Sequence, residues 1–179
     1  QGGVGGAAME AEYVHTVVIG AGPGGLQMAY CLQMQGREHV VLEAAETPGA
    51  FFERYPRHRT LISISKKHNY FPEKEFNMRH DWNSLLTDDY SLLMTDYSDE
   101  LFPHADALVQ YLRDFHAKFG LNVRFGTRVA KVRRPAAYEG DGSDQERVAR
   151  FELELEGGKT LRCSVLLVGT GVAGPYLPD

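Results

Sequence analysis

Apolar positions follow three different rhythms along the chain. Tyr13 to Ile19 (YVHTVVI) is a short β-branched run closed by glycine, without the alternation of a half-exposed strand, which predicts a parallel strand covered on both faces. Leu26 to Gln35 has helical character and stops at Gly36, a natural C-cap. His39 to Leu42 (HVVL) predicts a second strand ending at Glu43, so the three segments form a βαβ unit. From Thr47 to Pro103 the period is lost, apart from short pieces such as Leu61 to Ile64, and Pro, Asp and aromatic residues dominate. An irregular stretch of that length inside a compact domain marks function.

Helical spacing returns over Ala105 to Phe119, with Leu108, Leu112, Phe115 and Phe119 on one face, His104 at the start and Gly120 as the stop. Asn122 to Phe125, Thr127 to Arg133 and Arg150 to Leu155 read as strands, the last two joined by the polar hairpin loop AAYEGDGSDQE. Cys163 to Val168 (CSVLLV) reads as a fully apolar strand feeding GTGVAG. Residues 1–12 are Gly- and Ala-rich without period and read as a flexible tail. The folded part is then 13–179, an α/β domain with a parallel sheet and an inserted β meander.

The turn between the first strand and the first helix carries candidate chemistry. VVIGAGPGG sets Gly20, Gly22 and Gly25 at G-x-G-x-x-G spacing, with Pro23 and Gly24 inside the motif. Gly20 permits the tight turn, Gly22 lets a diphosphate approach the backbone, and Gly25 lets helix and strand pack closely, while the helix amides face the anion. Glu43 ends the second strand at the distance where such folds place an acid on the ribose hydroxyls. The reading is a Rossmann-like site for an adenine dinucleotide. A plain NAD-binding unit continues to a third parallel strand within a few tens of residues; here loops, a helix and a meander intervene before Cys163, which favours FAD. Thr170 and Gly171, after the last apolar strand, bring backbone to the cofactor again, and Val129 joins the candidate set from the strand Thr127 to Arg133.

Composition narrows the partners. A net charge of -5 supplies no basic field for a phosphate backbone, so nucleic acid is not expected. No apolar run approaches the roughly 20 residues of a membrane span. Cys31 and Cys163 form no CxxC; each reads as a small buried hydrophobe, and the absence of a local dithiol argues against a resident redox disulfide. The histidines lack metal-ligand spacing, so no metal is expected. In RHDWNSLL, His80 and Trp82 offer an acid-base group and a stacking wall, against a plainer reading with Trp82 in the core and Asp81 capping a short helix.

The segments GAGPGGLQMAY, GAFFERYPRHRTLISISKKH, EFNMRHDWNSLL, LFPHADALVQYLRDF and VGTG resemble flavoproteins of the flavin-containing monooxygenase type. The resemblance implies an oxidoreductase that passes hydride from NAD(P)H to FAD and on to an unidentified acceptor. It also implies that this chain is the N-terminal part of the FAD-binding domain, without the nicotinamide-binding domain and the C-terminal flavin segment. In FFERYPRHR, Arg54, Arg57 or Arg59 are then candidates to neutralise phosphate and Phe51, Phe52 and Tyr55 to wall the flavin ring, with Pro56 stiffening the turn. Relatives that oxygenate carry an asparagine in the segment matching LISISKKH; Ser63 and Ser65 stand here, and a hydroxyl has less donor capacity than a carboxamide, which weakens the case for oxygenation. An endoplasmic-reticulum branch of the family implies a lumenal location and partners in the degradation of misfolded glycoproteins, including a disulfide-reducing chaperone. Two alternatives stay open, a non-catalytic dinucleotide-binding scaffold and a flavin-dependent monooxygenase. No catalytic residue is assigned.

Overall fold

The run Tyr13–Ile19 is apolar because both its faces are covered, but it is not one strand. A computed structural model describes residues 11–67, 73–81, 83–135 and 148–171, and in it the segment divides into β1 (Glu12–Tyr13) and β2 (Thr16–Ile19). After β2 come α1 (Pro23–Met34), β3 (His39–Leu42), α2 (Ala50–Glu53), α3 (Lys74–His80) and α4 (Ala105–Phe119). Then follow β4 (Val123–Arg124), β5 (Val129–Arg133), β6 (Phe151–Leu155), β7 (Thr160–Cys163) and β8 (Val165–Val168).

Two four-stranded sheets result. One is parallel throughout, in the order β4-β3-β2-β8; the other, β1-β7-β6-β5, is antiparallel except for the β1–β7 pair. Alternate residues of β2 therefore meet different neighbours. Val18 joins Leu26, Ala29 and Tyr30 of α1 and Leu108, Tyr111, Leu112 and Phe115 of α4 in one core. Val17 faces the other way and packs with Val40, Leu42, Leu153, Leu161 and Cys163 beneath the meander. The order of layers is helices, parallel sheet, meander, which is why VVI shows no alternation.

The expected strand Cys163–Val168 is also two strands, and it breaks at the same level as its neighbour. Ser164 N and Val165 N both donate to the His15 carbonyl, at 3.1 and 3.0 Å. The two runs thus leave the meander and enter the parallel sheet side by side. A fully apolar run predicts burial, but β8 lies at the sheet's edge among the described residues and leaves Val165 38% and Val168 68% exposed. The tail boundary moves as well: Glu12 belongs to β1, and its carboxylate takes two hydrogen bonds from Arg124.

Other boundaries shift by a few residues. Helix α1 starts at Pro23 rather than Leu26, since proline at the first helical position has its dihedral preset and no amide to satisfy. Helix α4 spans the expected residues, opened by His104, whose Nδ1 accepts from Asp106 N, and closed by Gly120 at φ 54°. Strands β5 and β6 pair antiparallel as a hairpin requires, while its loop falls outside the described residues. Cys31 is exposed, contrary to expectation, because it faces away from the sheet on α1. Asp81 does not cap a helix start; α3 ends just before it, and its buried carboxylate accepts from Asn83 N and Ser84 Oγ.

The irregular stretch is held down by side chains bonding to backbone. Tyr111 Oη accepts from Leu85 N at 2.7 Å, Ser84 Oγ accepts from Met94 N, and Gln27 of α1 bonds both the N–H and the carbonyl of Leu86. Burial pushes the Tyr111 hydroxyl well above the usual phenolic range, so it stays protonated.

Candidate functional site

The parallel sheet places three chain turns at the C-terminal ends of its strands. Gly20 N donates to Leu42 O at 2.8 Å and Gly169 N to Ile19 O at 2.8 Å, so the ends of β2, β3 and β8 are tied together. Gly20 has φ 99°, and a Cβ there would lie 2.6 Å from the Gly169 carbonyl oxygen; only glycine permits these two turns to touch. Gly25 is constrained harder, since a Cβ would stand 1.8 Å from the Gly20 carbonyl oxygen. The helix rests on the turn.

Gly22 is the N-cap of α1, in extended conformation and with no side-chain cap bond, and no acidic residue occupies the first turn. The positive end of the helix dipole and its first amides therefore face open space rather than a carboxylate of the chain. Glu43 closes the arrangement from β3. Its Oε2 accepts from Ala21 N at 2.6 Å and its Oε1 from Ala45 N at 2.8 Å, which locks the carboxylate between the glycine turn and its own loop. Each oxygen keeps lone-pair capacity for a second donor.

These groups line one cavity of about 610 Å³. Gly20, Gly22, Pro23, Gly24, Glu43, Phe51, Val129, Thr170 and Gly171, all predicted from sequence, meet on its wall, together with Ile19, Leu42, Ala44, Gly49, Ala50, Phe52, Thr127, Arg128 and Gly169. Gly25 is not on the wall; it packs beneath it. Phe51 is half exposed at the wall and forms an edge-to-face cluster with Phe52 and Tyr55, whose rings stack on each other at 5.5 Å.

The arginines of FFERYPRHR behave differently from the aromatics. Arg54 is exposed and outside the wall, and the side chain of Arg57 lies outside the described residues. Arg59 turns away: His58 and Arg59 both take positive φ, 53° and 61°, and the guanidinium pairs with Asp106 at the start of α4. A partner 47 positions away in sequence claims it. Among the described residues Arg128 is the cation that does line the cavity, and pattern alone hides it inside the expected strand Thr127–Arg133. The strand begins two residues later, at Val129. That left Arg128 beside a residue already in the candidate set.

His80 is exposed, bonds Phe76 O and stacks on the Phe76 ring at 4.1 Å, apart from the cavity; Trp82 lies outside the described residues. Ser63 and Ser65 are also off the wall, and Ser65 Oγ accepts from Lys67 N. Among the described residues no group of His, Cys, Asp and Glu has the arrangement of a metal site, and no helix is long and apolar enough to cross a membrane.

The chain is 48% identical over 165 residues to FAD-dependent oxidoreductase domain-containing protein 2 of Mus musculus, and it spans about a quarter of that relative's length (90% of this chain, 24% of the relative). Its fold matches the flavin-containing monooxygenase from Stenotrophomonas maltophilia with a TM-score of 0.65 at 22% identity, covering 94% of this chain and 42% of that one. It also matches OTEMO in complex with FAD and NADP, with a TM-score of 0.66 at 22% identity, covering 95% of this chain and 28% of that one. Residues 17–143 match the family described as pyridine nucleotide-disulphide oxidoreductase, a span that holds the glycine turn, Glu43 and the aromatic cluster, and the chain belongs to that family.

Proposed function

We propose that this chain forms the adenine-dinucleotide end of an FAD site in an oxidoreductase that takes hydride from NAD(P)H. One observation carries the reading. An uncapped helix start, a fixed carboxylate on the next strand and a third glycine turn converge on a single cavity, with Gly20 and Gly25 at the contacts where a Cβ would drive the turns and the helix apart. The residues fit the group: Gly22 and Gly24 supply backbone and helix dipole to the diphosphate, Glu43 accepts from the ribose hydroxyls, and Thr170 and Gly171 face the cofactor from β8. Phe51 and Phe52 supply an apolar wall toward the flavin ring. Arg59 leaves the candidate phosphate ligands, while Arg54 and Arg57 stay in the proposal as residues to be tested by substitution.

When bound, FAD supplies the hydride-accepting chemistry, and the protein's part is to orient it, exclude water and set its electrostatics. Because the chain spans about a quarter of its mouse relative, turnover, acceptor and partners belong to the whole protein. The relative's FAD-dependent name and the FAD and NADP in the OTEMO structure support the cofactor pair. The reading extends, on resemblance alone, to the endoplasmic-reticulum lumen and to partners in misfolded-glycoprotein degradation with a disulfide-reducing chaperone.

The test is the visible spectrum of the purified whole protein, followed by anaerobic mixing with NADPH. Bound flavin absorbance that bleaches on mixing is the expected result. A colourless protein that takes up no added FAD would overturn the reading, and bound flavin that NADPH never bleaches would leave a scaffold in place of an enzyme.

A further inference from the structure

The cavity has two chemically different ends, and its wall carries one cation among the described residues. The glycine turn and the uncapped start of α1 define the anionic end. Glu43 stands at the tip of β3, and the chain that passes directly beyond it is the run entering β5: Thr127 N donates to Glu43 O at 2.8 Å and Gly126 N to Ala45 O at 3.0 Å. A dinucleotide laid from Gly22 past Glu43 therefore sets its base against Thr127, Arg128 and Val129. Leu42 and Ala44 supply an apolar floor there.

Arg128 is not consumed by structure. Its side chain is 60% exposed, and the Glu156 carboxylate it meets at 3.3 Å is 63% exposed, so that pair contributes little and yields at little cost. Its backbone is fixed, however, because Glu156 N donates to Arg128 O at 2.9 Å. The guanidinium is planar and weakly hydrated and stacks well on an aromatic face. A 2′-phosphate beside it would meet the Glu43 carboxylate, which argues for a base contact rather than a phosphate contact.

We infer that Arg128 caps the adenine by stacking its guanidinium on the purine face, which makes it a binding residue for the adenosine half of the cofactor. The inference rests on the dinucleotide reading above and deepens it. Stacking on an exposed to partly desolvated base predicts that Arg128→Ala weakens binding by about threefold to thirtyfold.

The experiment uses flavin-stripped whole protein and titrates FAD, ADP, FMN and adenosine 2′,5′-bisphosphate by calorimetry. Arg128→Ala is expected to weaken FAD and ADP by the same factor and to leave FMN unchanged, and Arg128→Lys to recover only part of the loss, since an ammonium has no plane to stack. Arg128→Gln serves as a second variant should Arg128→Ala misfold. Unchanged ADP affinity in a folded variant overturns the Arg128 assignment alone, as does a loss confined to adenosine 2′,5′-bisphosphate. Wild-type protein that binds neither FAD nor ADP overturns the dinucleotide reading and this assignment with it.

Discussion

Replacing Gly25 with alanine tests how the glycine turn is built. The new Cβ would stand 1.8 Å from the Gly20 carbonyl oxygen and 2.9 Å from its carbon, so turn and helix must separate by more than an ångström. Nothing flexible lies between them. Gly20 is held to β3 by its hydrogen bond to Leu42 O, and α1 is pinned through Leu26, Ala29 and Tyr30 in the core. Overpacking a core side chain costs about 1–3 kcal/mol, and a clash with fixed backbone stands above that range, at about 3–5 kcal/mol. For a chain of this size the melting temperature falls by about 10 °C. The controls are its neighbours: a Cβ on Gly22 or Gly24 meets nothing within 4 Å. Gly24→Ala, inside the helix, is expected to be neutral or to stabilise by about 0.5–1 kcal/mol. Gly22→Ala, with its φ of -74°, is expected to stay within about 1 kcal/mol of wild type yet to lose cofactor affinity, because its methyl enters the cavity. Thermal unfolding followed by circular dichroism reads all three. A Gly25→Ala protein melting within about 2 °C of wild type would refute the packing argument, given that scaling.

Three further outcomes follow from groups already described. Glu43→Gln leaves one carboxamide oxygen where two carboxylate oxygens accepted backbone N–H groups, and urea denaturation should show a loss of about 1–3 kcal/mol; an unchanged midpoint would mean that the carboxylate does not hold the turn. The Glu12 carboxyl titrates below the usual range because Arg124 donates hydrogen bonds to it and attracts its charge. A depressed folded pKa means that the pair's support is complete above the unfolded value of about 4.3 and is lost as pH falls through the lower folded one. Both partners are partly exposed, so the effect stays under about 1 kcal/mol; protection of the Val14 amide, which bonds Arg162 O, should fall in acid while amides of α4 keep theirs, and a uniform change would contradict it. Burial pushes the Cys163 thiol up to about 11, whereas Cys31 is exposed. Iodoacetamide at neutral pH should label Cys31 alone, with Cys163 reacting only in denaturant, and equal labelling of the native protein would count against the burial of β7.

Local signals explain what was legible in the sequence. The βαβ unit and α4 follow from patterns spanning fewer than about 20 residues, with Gly36, Gly120 and His104 as punctuation, and Glu43 was reached by counting from the glycine turn. The sheet switch is hidden because apolar runs look continuous to a periodicity argument, although the polar interruptions His15 and Ser164 mark the level at which both strands break. Arg59 leaves the candidate phosphate ligands for a different reason. Its partner Asp106 sits on a helix that local pattern cannot bring near, and the positive φ at His58 and Arg59, unusual for residues with side chains, redirects the guanidinium. Arg128 shows the limit of boundary assignment, since a strand start set two residues early moves it from a cavity wall into a strand.

The paired break at His15 and Ser164 has a consequence for how the chain reaches its shape. Tyr13 and Ser164 share a hydrogen bond although 151 positions separate them, so the central strand gains its second neighbour only after nearly the whole segment has been synthesised. The β2-α1-β3 unit can assemble early from nearby contacts, but closure of the layer beside β2 must wait for β8, a non-local pairing that is slower to form than that unit. Until then Val17 and Val18 have an open flank, and a ribosome stalled before residue 165 would hold a nascent chain with its most apolar strand half dressed.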